Sequence, residues 1–425
     1  MASIARAVAF LKDQDSLLDG QQVQRIFAAH GHCWRDRELP PAVTMELFIR
    51  QVVAGNIPCQ EVRCFGDGRF TASAYCQARS RLPTEAVWDL AARITAEVAG
   101  IDGEAGTSRW RGHRTFHVDG TGFSMPDTPA LQEFFGQPGM QTKGCGFPVA
   151  HLLTLFDSAT GMLMAAHPAP LRTHDLADIR HIHQHLCPTD LLIGDRAFGS
   201  WAHLALLQAQ GMHGVFPLHQ HRKSDGGACF DRIEHWSKPK VCPQWMDPDQ
   251  YAALPRQISV RVIRRRVRRG RGGRPTTVTL CTTLLNRHAY PADEIVALAA
   301  SRWDAETNLR HLKTTLKLDV LRCKSVMGVL RELAVIVLVY NLVRRVMLNA
   351  AHKQGVPISR VSFTDALRLI RWTGVDARLY ALIVNPHRPG RIEPRVVKRR
   401  HDKYDRMTRP RRVLQKVLEK QRNIT

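Results

Sequence analysis

No two of the ten cysteines in this 425-residue chain stand in a Cys-x-x-Cys spacing. That absence excludes a zinc ribbon and a thioredoxin-like redox motif. His30, His32 and Cys33 lie close together, but no second ligand pair follows at a matching distance, so a structural role is expected there. Long apolar runs are missing too. The longest strongly apolar one, residues 333–340, falls well short of the roughly 20 residues a membrane span needs. It is bracketed by Arg331, Glu332, Arg344 and Arg345 and reads as a buried helix, so no membrane partner is expected. No secretory pattern is recognised, and we expect a soluble, cytoplasmic protein with reduced thiols.

Acidic residues are scarce: 38 Asp and Glu stand against 61 Lys and Arg, for a net charge of +23. The excess is concentrated. Residues 256–274 hold nine arginines and no acid, and residues 388–425 hold fourteen basic residues against four acidic ones. These two segments account for 19 of the 23 excess charges, and the rest of the chain is nearly balanced. Clustered arginine is the footprint of a polyanion partner, most simply nucleic acid. A basic tail alone has blander explanations, but they leave the inner cluster unexplained.

The length predicts two or three domains. The first hundred residues carry apolar positions at helical spacing, in Val23, Ile26 and Phe27 and then in Leu47, Val52 and Val53. Pro40-Pro41 separates the two stretches and Thr44 is the expected N-cap of the second. Residues 73–83 predict a short basic helix or turn, and the glycines of 100–112 a linker. Strands follow: 115–121 ending at a turn, a hairpin of 149–156 with 162–165, then 191–195 after a helical stretch at 176–186. Further strands are expected at 214–218, 258–269 and 276–285, the last two joined by Gly270-Arg-Gly-Gly273. From Pro291 the pattern returns to helix, through Arg302, Glu306 and Lys313, with a second helix at 330–348. The fold class is therefore α/β with a mixed sheet.

Ser301-Arg-Trp-Asp-Ala-Glu-Thr-Asn-Leu-Arg-His-Leu-Lys313 is the most informative stretch. At roughly 100° per residue, Arg302, Glu306 and Lys313 would lie within about 40° of one another on a helix. A solvated, ion-paired face explains such a pattern, and so does a metal-binding acid that meets phosphates. Two other acids stand at the ends of apolar strands: Asp119 after Phe116-His-Val118 and Asp195 after Leu191-Leu-Ile-Gly194. Functional groups collect at such ends in open α/β sheets. Taken singly, Asp119-Gly120 can be turn chemistry and Asp195-Arg196 a local ion pair. Two aspartates and a glutamate together can hold two divalent cations for phosphoryl transfer. His174 and Asp175, just before the helical stretch, are expected to cap or pack.

Asp119-Gly-Thr, Asp195-Arg-Ala-Phe198 and the Arg302-x-x-x-Glu306-x6-Lys313 run resemble the DDE transposases of bacterial insertion sequences, specifically the insertion-sequence-four family. Trp34-Arg-Asp-Arg-Glu-Leu-Pro-Pro41, Ser73-Ala-Tyr-Cys-Gln-Ala-Arg79 and Asn385-Pro-His-Arg-Pro-Gly-Arg-Ile-Glu-Pro-Arg-Val-Val-Lys-Arg-Arg400 extend the resemblance over nearly the whole chain. One departure is visible: Ala299 stands where the family's last motif has a tyrosine, three residues before the arginine.

The resemblance implies an RNase H-like mixed-sheet catalytic core with a β-strand insertion, plus an all-helical N-terminal domain. Its segments would be 1–105 (helical, DNA-end binding), 106–205 (first part of the core), 206–288 (insertion with the basic hairpin), 289–350 (second part of the core, with the glutamate helix) and 351–425 (basic). It implies Asp119, Asp195 and Glu306 as catalytic metal ligands for two Mg²⁺, or Mn²⁺. Arg302 and Lys313 would contact the DNA end, with Arg196 as a further DNA contact. The implied activity is metal-dependent cleavage at the element ends and transfer of the 3′-hydroxyl strand into target DNA, with no covalent protein intermediate. The partners would be double-stranded DNA (terminal inverted repeats and target) and a second copy of the chain on paired ends, at the bacterial nucleoid. A catalytically inactive or domesticated DNA-binding relative is the alternative. A tyrosine or serine recombinase is disfavoured, since none of the six tyrosines stands in a recognisable Arg/His/Arg constellation.

Overall fold

The computed structural model describes residues 19–35, 37–66, 68–105, 109–139, 142, 144–219, 222, 227–268, 275–372 and 409–422. The basic segment 385–400 and the hairpin tip 269–274 lie outside these residues. The N-terminal part is helical: α1 (Gly20–Ala29), α2 (Pro41–Val53), α3 (Ala72–Arg81) and α4 (Thr84–Ala105). Asp19 caps α1 by accepting the Gln21 N–H, and the apolar stripe Val23, Ile26 and Phe27 is buried as its spacing predicts. Thr44 is not the cap of α2. Pro41 occupies the first helical position, where its fixed φ and missing N–H cost nothing, and Thr44 is buried with its hydroxyl on the Pro40 carbonyl. The expected linker at 100–112 is also corrected over its first half, because α4 runs on to Ala105.

One eight-stranded sheet follows, in the order β3-β2-β1-β4-β5-β8-β7-β6. The strands are β1 (Thr115–Ser124), β2 (Val149–Asp157), β3 (Leu163–Pro170), β4 (Leu191–Ile193), β5 (His213–Pro217), β6 (Phe230–Ser237), β7 (Gln257–Arg268) and β8 (Pro275–Thr282). β1, β4 and β5 are parallel, and β2 runs antiparallel to β1 and β3. This five-strand pattern is that of an RNase H-like core. β8, β7 and β6 extend the same sheet by antiparallel pairing from β5. β1 does not turn at Asp119-Gly120. It pairs with β2 from Phe116↔Asp157 through Ser124↔Val149, so ladder hydrogen bonds override the local Asp-Gly turn preference. The helical stretch expected at 176–186 is shorter, a 3₁₀ turn Asp175–Asp178 and one helical turn Arg180–His183.

Helices cover both faces. On one side, Phe116, Val118, Leu153, Leu155 and Leu192 pack with α5 (Trp201–Ala209). On the other, Leu191, Ile193 and Val215 pack against Ile295 and Leu298 of α6 (Ala292–Ala300). The sequence predicts one helix from Pro291 through Lys313, but the chain breaks at Ser301. α7 (Arg302–Arg310) starts anew and passes into a π-helical turn, His311–Thr315.

The expected buried helix is α8 (Val326–Gln354), N-capped by the Ser325 hydroxyl and ended by Gly355 at φ 62°. By length and composition alone α8 could cross a membrane, but 83% of its apolar window is buried inside the protein. It joins α1, α2 and α4, the β1–β3 end of the sheet and α9 (Phe363–Trp372) in one continuous core. Fully buried Glu332 of α8 accepts the N–H groups of Arg322 and Cys323 and the Asn56 amide, pinning the loop after the π turn to the N-terminal helices.

Candidate active site

Asp119 sits mid-strand on β1. Its neighbours Phe116 and Val118 enter the α5-side core, so alternation turns His117 and Asp119 to the α6–α7 side. The last parallel pair with β4 is His117↔Ile193, and two residues further along each strand stand Asp119 and Asp195. The acids are thus level on neighbouring strands, where β4 ends. The Thr154 hydroxyl donates to the Asp119 carbonyl at 2.7 Å, and the Asp119 carboxylate Oδ1 accepts the Gly120 N–H at 2.9 Å. Asp195 caps the 3₁₀ turn Arg196–Gly199 by accepting the Ala197 N–H at 2.8 Å. Each aspartate therefore spends one oxygen on backbone and keeps the other without a hydrogen bond among the described residues.

Glu306 comes from α7. Arg302 Nη2 donates to its Oε1 at 2.9 Å, the i,i+4 pair expected from the sequence. Burial pushes the Asp119 carboxyl up to about 6. The Gly120 N–H and the Arg302 guanidinium pull it back, while the negative charges of Asp195 and Glu306 raise it further. The structure therefore brings Asp119, Asp195, Glu306 and Arg302 within electrostatic reach of one another. Three carboxylates against one guanidinium leave excess negative charge on hard oxygen donors, and such a set fits divalent cations.

Lys313 lies in the π-helical turn after α7, off the regular phase that would align it with Glu306, and makes no ion pair with the three acids among the described residues. Arg196 is exposed beside Asp195. Ala299 lies on α6, across the break from Arg302, and packs partly buried against the Leu191–Ile193 side of the core. His174 caps the turn Asp175–Asp178 through Nδ1, as expected. Asp175 pairs with His151 at 2.6 Å and presses on Gly120, where a Cβ would lie 2.5 Å from the Asp175 carboxylate.

One residue at this site carried no sequence signal beyond strand alternation. Buried His117 bonds through Nε2 to the Ser301 hydroxyl at 2.8 Å and the Ser158 hydroxyl at 3.1 Å. The Ser301 hydroxyl also reaches the Leu298 carbonyl at 2.7 Å. Burial, and then the Arg302 charge, hold this imidazole down at about 4, hence neutral.

The arginine cluster divides. Arg261 is fully buried, paired with Asp231 at 2.7 Å and donating to the Tyr290 carbonyl. Arg265 pairs with Asp293 at 3.2 Å, while Arg266 and Arg268 are exposed on β7.

A family profile described as the transposase DDE domain matches residues 110–342. The chain is 24% identical over 420 residues to the transposase InsG for insertion sequence element IS4 of Escherichia coli K12, covering 91% of this chain and 92% of that protein. It is 29% identical over 140 residues to the putative transposase InsZ of the same organism, covering 33% of this chain and 46% of that protein. A solved synaptic complex of piggyBac transposase with hairpin DNA aligns over 87% of this chain and 80% of that chain, at 9% identity and a TM-score of 0.46.

Proposed function

Since the chain belongs to the family of transposases with a DDE catalytic domain, we propose that Asp119, Asp195 and Glu306 are the ligands of its divalent metals. DDE transposases use divalent metal, and we assign two Mg²⁺, replaceable by Mn²⁺. The observation that supports the assignment is that the negative charges of Asp195, just past β4, and Glu306, on α7, both act on Asp119 of β1. When bound, the metals supply Lewis-acid stabilisation of the attacking and leaving oxygens.

The chain's own residues set the geometry of an in-line displacement. Asp119 and Asp195 are fixed by backbone N–H donors, and Glu306 is steadied by Arg302. Arg302, Lys313 and Arg196 face the DNA backbone and neutralise phosphates. In the first step water attacks the phosphorus at an element end, and the 3′-oxygen leaves as the free hydroxyl. In the second, that hydroxyl attacks a target phosphodiester and displaces the target's 3′-oxygen, so no bond to protein forms.

The substrate is double-stranded DNA bearing terminal inverted repeats, bound by a homodimer that pairs two ends at the nucleoid in the bacterial cytoplasm. We propose the division 1–105 for end recognition, 106–205 with 289–350 for catalysis, and 206–288 and 351–425 as basic contributors to DNA binding. The test is Mg²⁺-dependent nicking of DNA that carries the element ends. Glu306→Gln or Asp195→Asn should abolish it while end binding persists. Full activity in both variants would overturn the metal assignment, and an inactive wild type that still binds ends would favour the DNA-binding relative.

A further inference from the structure

The face of the sheet turned away from Asp119 carries a second set of ligand-type side chains. His167 on β3, Asp178 at the end of its 3₁₀ turn and His181 in the next helical turn each place a ligand atom within 4.8 Å of the other two. His167 stands opposite Leu153, whose side chain enters the α5-side core, so the set is separated from the three acids by the sheet.

Ordinary hydrogen bonding does not account for this cluster. His167 Nε2 lies 3.8 Å from Asp178 Oδ1, too far for a hydrogen bond. Asp178 Oδ2 is buried with no hydrogen-bond partner. The two imidazoles stack instead, with centroids 3.8 Å apart and planes 8° from parallel, and no hydrogen bond among the described residues engages the His181 ring. Beside the cluster lies a cavity of about 280 Å³ that His167, His181 and His185 all line.

We propose that His167, Asp178 and His181 bind one divalent cation of the zinc class, with water completing the shell from the cavity. Two imidazoles and one carboxylate suit a borderline ion, whereas Mg²⁺ prefers the all-oxygen donors on the other face. Binding turns the stacked rings about their Cβ–Cγ bonds until both lone pairs converge, and it gives Asp178 Oδ2 a partner. Arg180 opposes the cation by charge, since it already acts on His167. A bound ion would staple edge strand β3 to the turns that follow it.

The test uses the full-length chain, stripped with a chelator, carrying Asp119→Asn, Asp195→Asn and Glu306→Gln to silence the acidic face. Zn²⁺ is titrated in competition with a chromophoric chelator, in excess Mg²⁺. One Zn²⁺ per chain and a rise in Tm are expected. His181→Gln should weaken binding at least about tenfold and remove the Tm rise. His167→Gln should do the same, as a check against a local folding defect. No Zn²⁺ uptake above the Mg²⁺ background, or uptake unchanged in both histidine variants, would overturn the site.

Discussion

His117 Nε2 lies 2.8 Å from Ser301 Oγ, and this bond joins the strand that carries Asp119 to the start of the helix that carries Glu306. Ser301 is the residue at which the predicted long helix breaks. The spacing of the acids across the site is therefore held by a neutral histidine and a serine, neither of which meets the substrate in the proposed chemistry. Ser301→Ala removes two part-buried hydrogen bonds, to His117 and to the Leu298 carbonyl, about 1 kcal/mol of stability each. Because small misplacements of reacting groups cost up to ~10²-fold, single-turnover nicking should fall far more than the Tm suggests. Ser301→Thr keeps the hydroxyl and should restore most of the rate. Equal activity in Ala and wild type would show that the bond does not position the site.

Asp119→Asn should abolish nicking yet raise the Tm of the metal-free protein. Burial and two neighbouring carboxylates disfavour the charge on Asp119, so a neutral isostere relieves the folded state. The loss of rate should reach at least about 10³-fold, the scale of several kcal/mol of metal-borne stabilisation. Differential scanning with and without Mg²⁺ reads both arms. A lower Tm in the metal-free variant would contradict the crowding of charge at this site.

The strands that carry Asp119 and lead into Asp195 are legible because each aspartate interrupts a strongly apolar segment. The helix break at Ser301 is not. Ala299-Ala300-Ser301-Arg302 contains no Gly or Pro, and the break falls at a serine whose hydroxyl bonds the Leu298 carbonyl locally and His117 across the site. The π turn that moves Lys313 out of phase contains no Gly or Pro either. Asp119-Gly120 misled in the opposite sense: a dipeptide with turn chemistry lies in a strand because β2 pairs with it along its whole length. The arginine cluster read as one electrostatic unit, yet burial splits it into structural and exposed members.

That split gives opposite outcomes within a few residues. Arg266→Ala with Arg268→Ala should leave stability unchanged and reduce the slope of log K against log salt by about two on end DNA. Arg261→Ala leaves Asp231 only the longer Arg287 pair at 3.7 Å, strips two carbonyls of their donor, and should cost roughly 3 kcal/mol. Fluorescence-anisotropy titrations over a salt series and urea melts separate the two. An unchanged slope in the double variant would remove β7 from the DNA path.

Acid should destabilise the protein through a buried histidine pair. His203 donates from Nδ1 to the Phe198 carbonyl at 2.7 Å, and its Nε2 faces His183 Nε2 at 3.0 Å. The bond between the rings needs one Nε2 without a proton, so it is lost once both rings are charged. Burial holds His183 at about 4 and His203 at about 3, against 6.5 unfolded. The unfolded chain therefore binds more protons as pH drops below about 6.5. Stability falls from there toward the folded values, by up to ~1.4 kcal/mol per pH unit for each ring. His183→Asn should flatten the dependence of Tm on pH between 7 and 5, and an identical slope in that variant would exclude the pair as its source.

The single core that α8 shares with α1, α2, α4 and the sheet bears on how such an enzyme diversifies. Exchanging residues 1–105 for those of a relative with other end sequences would put a foreign surface against a helix matched to the old one. On the end-recognition role proposed for residues 1–105, end specificity cannot then be traded as a cassette, and changes in those helices must be inherited together with α8. Lineages of this transposase would drift in specificity by coupled substitutions across that interface instead of by domain shuffling.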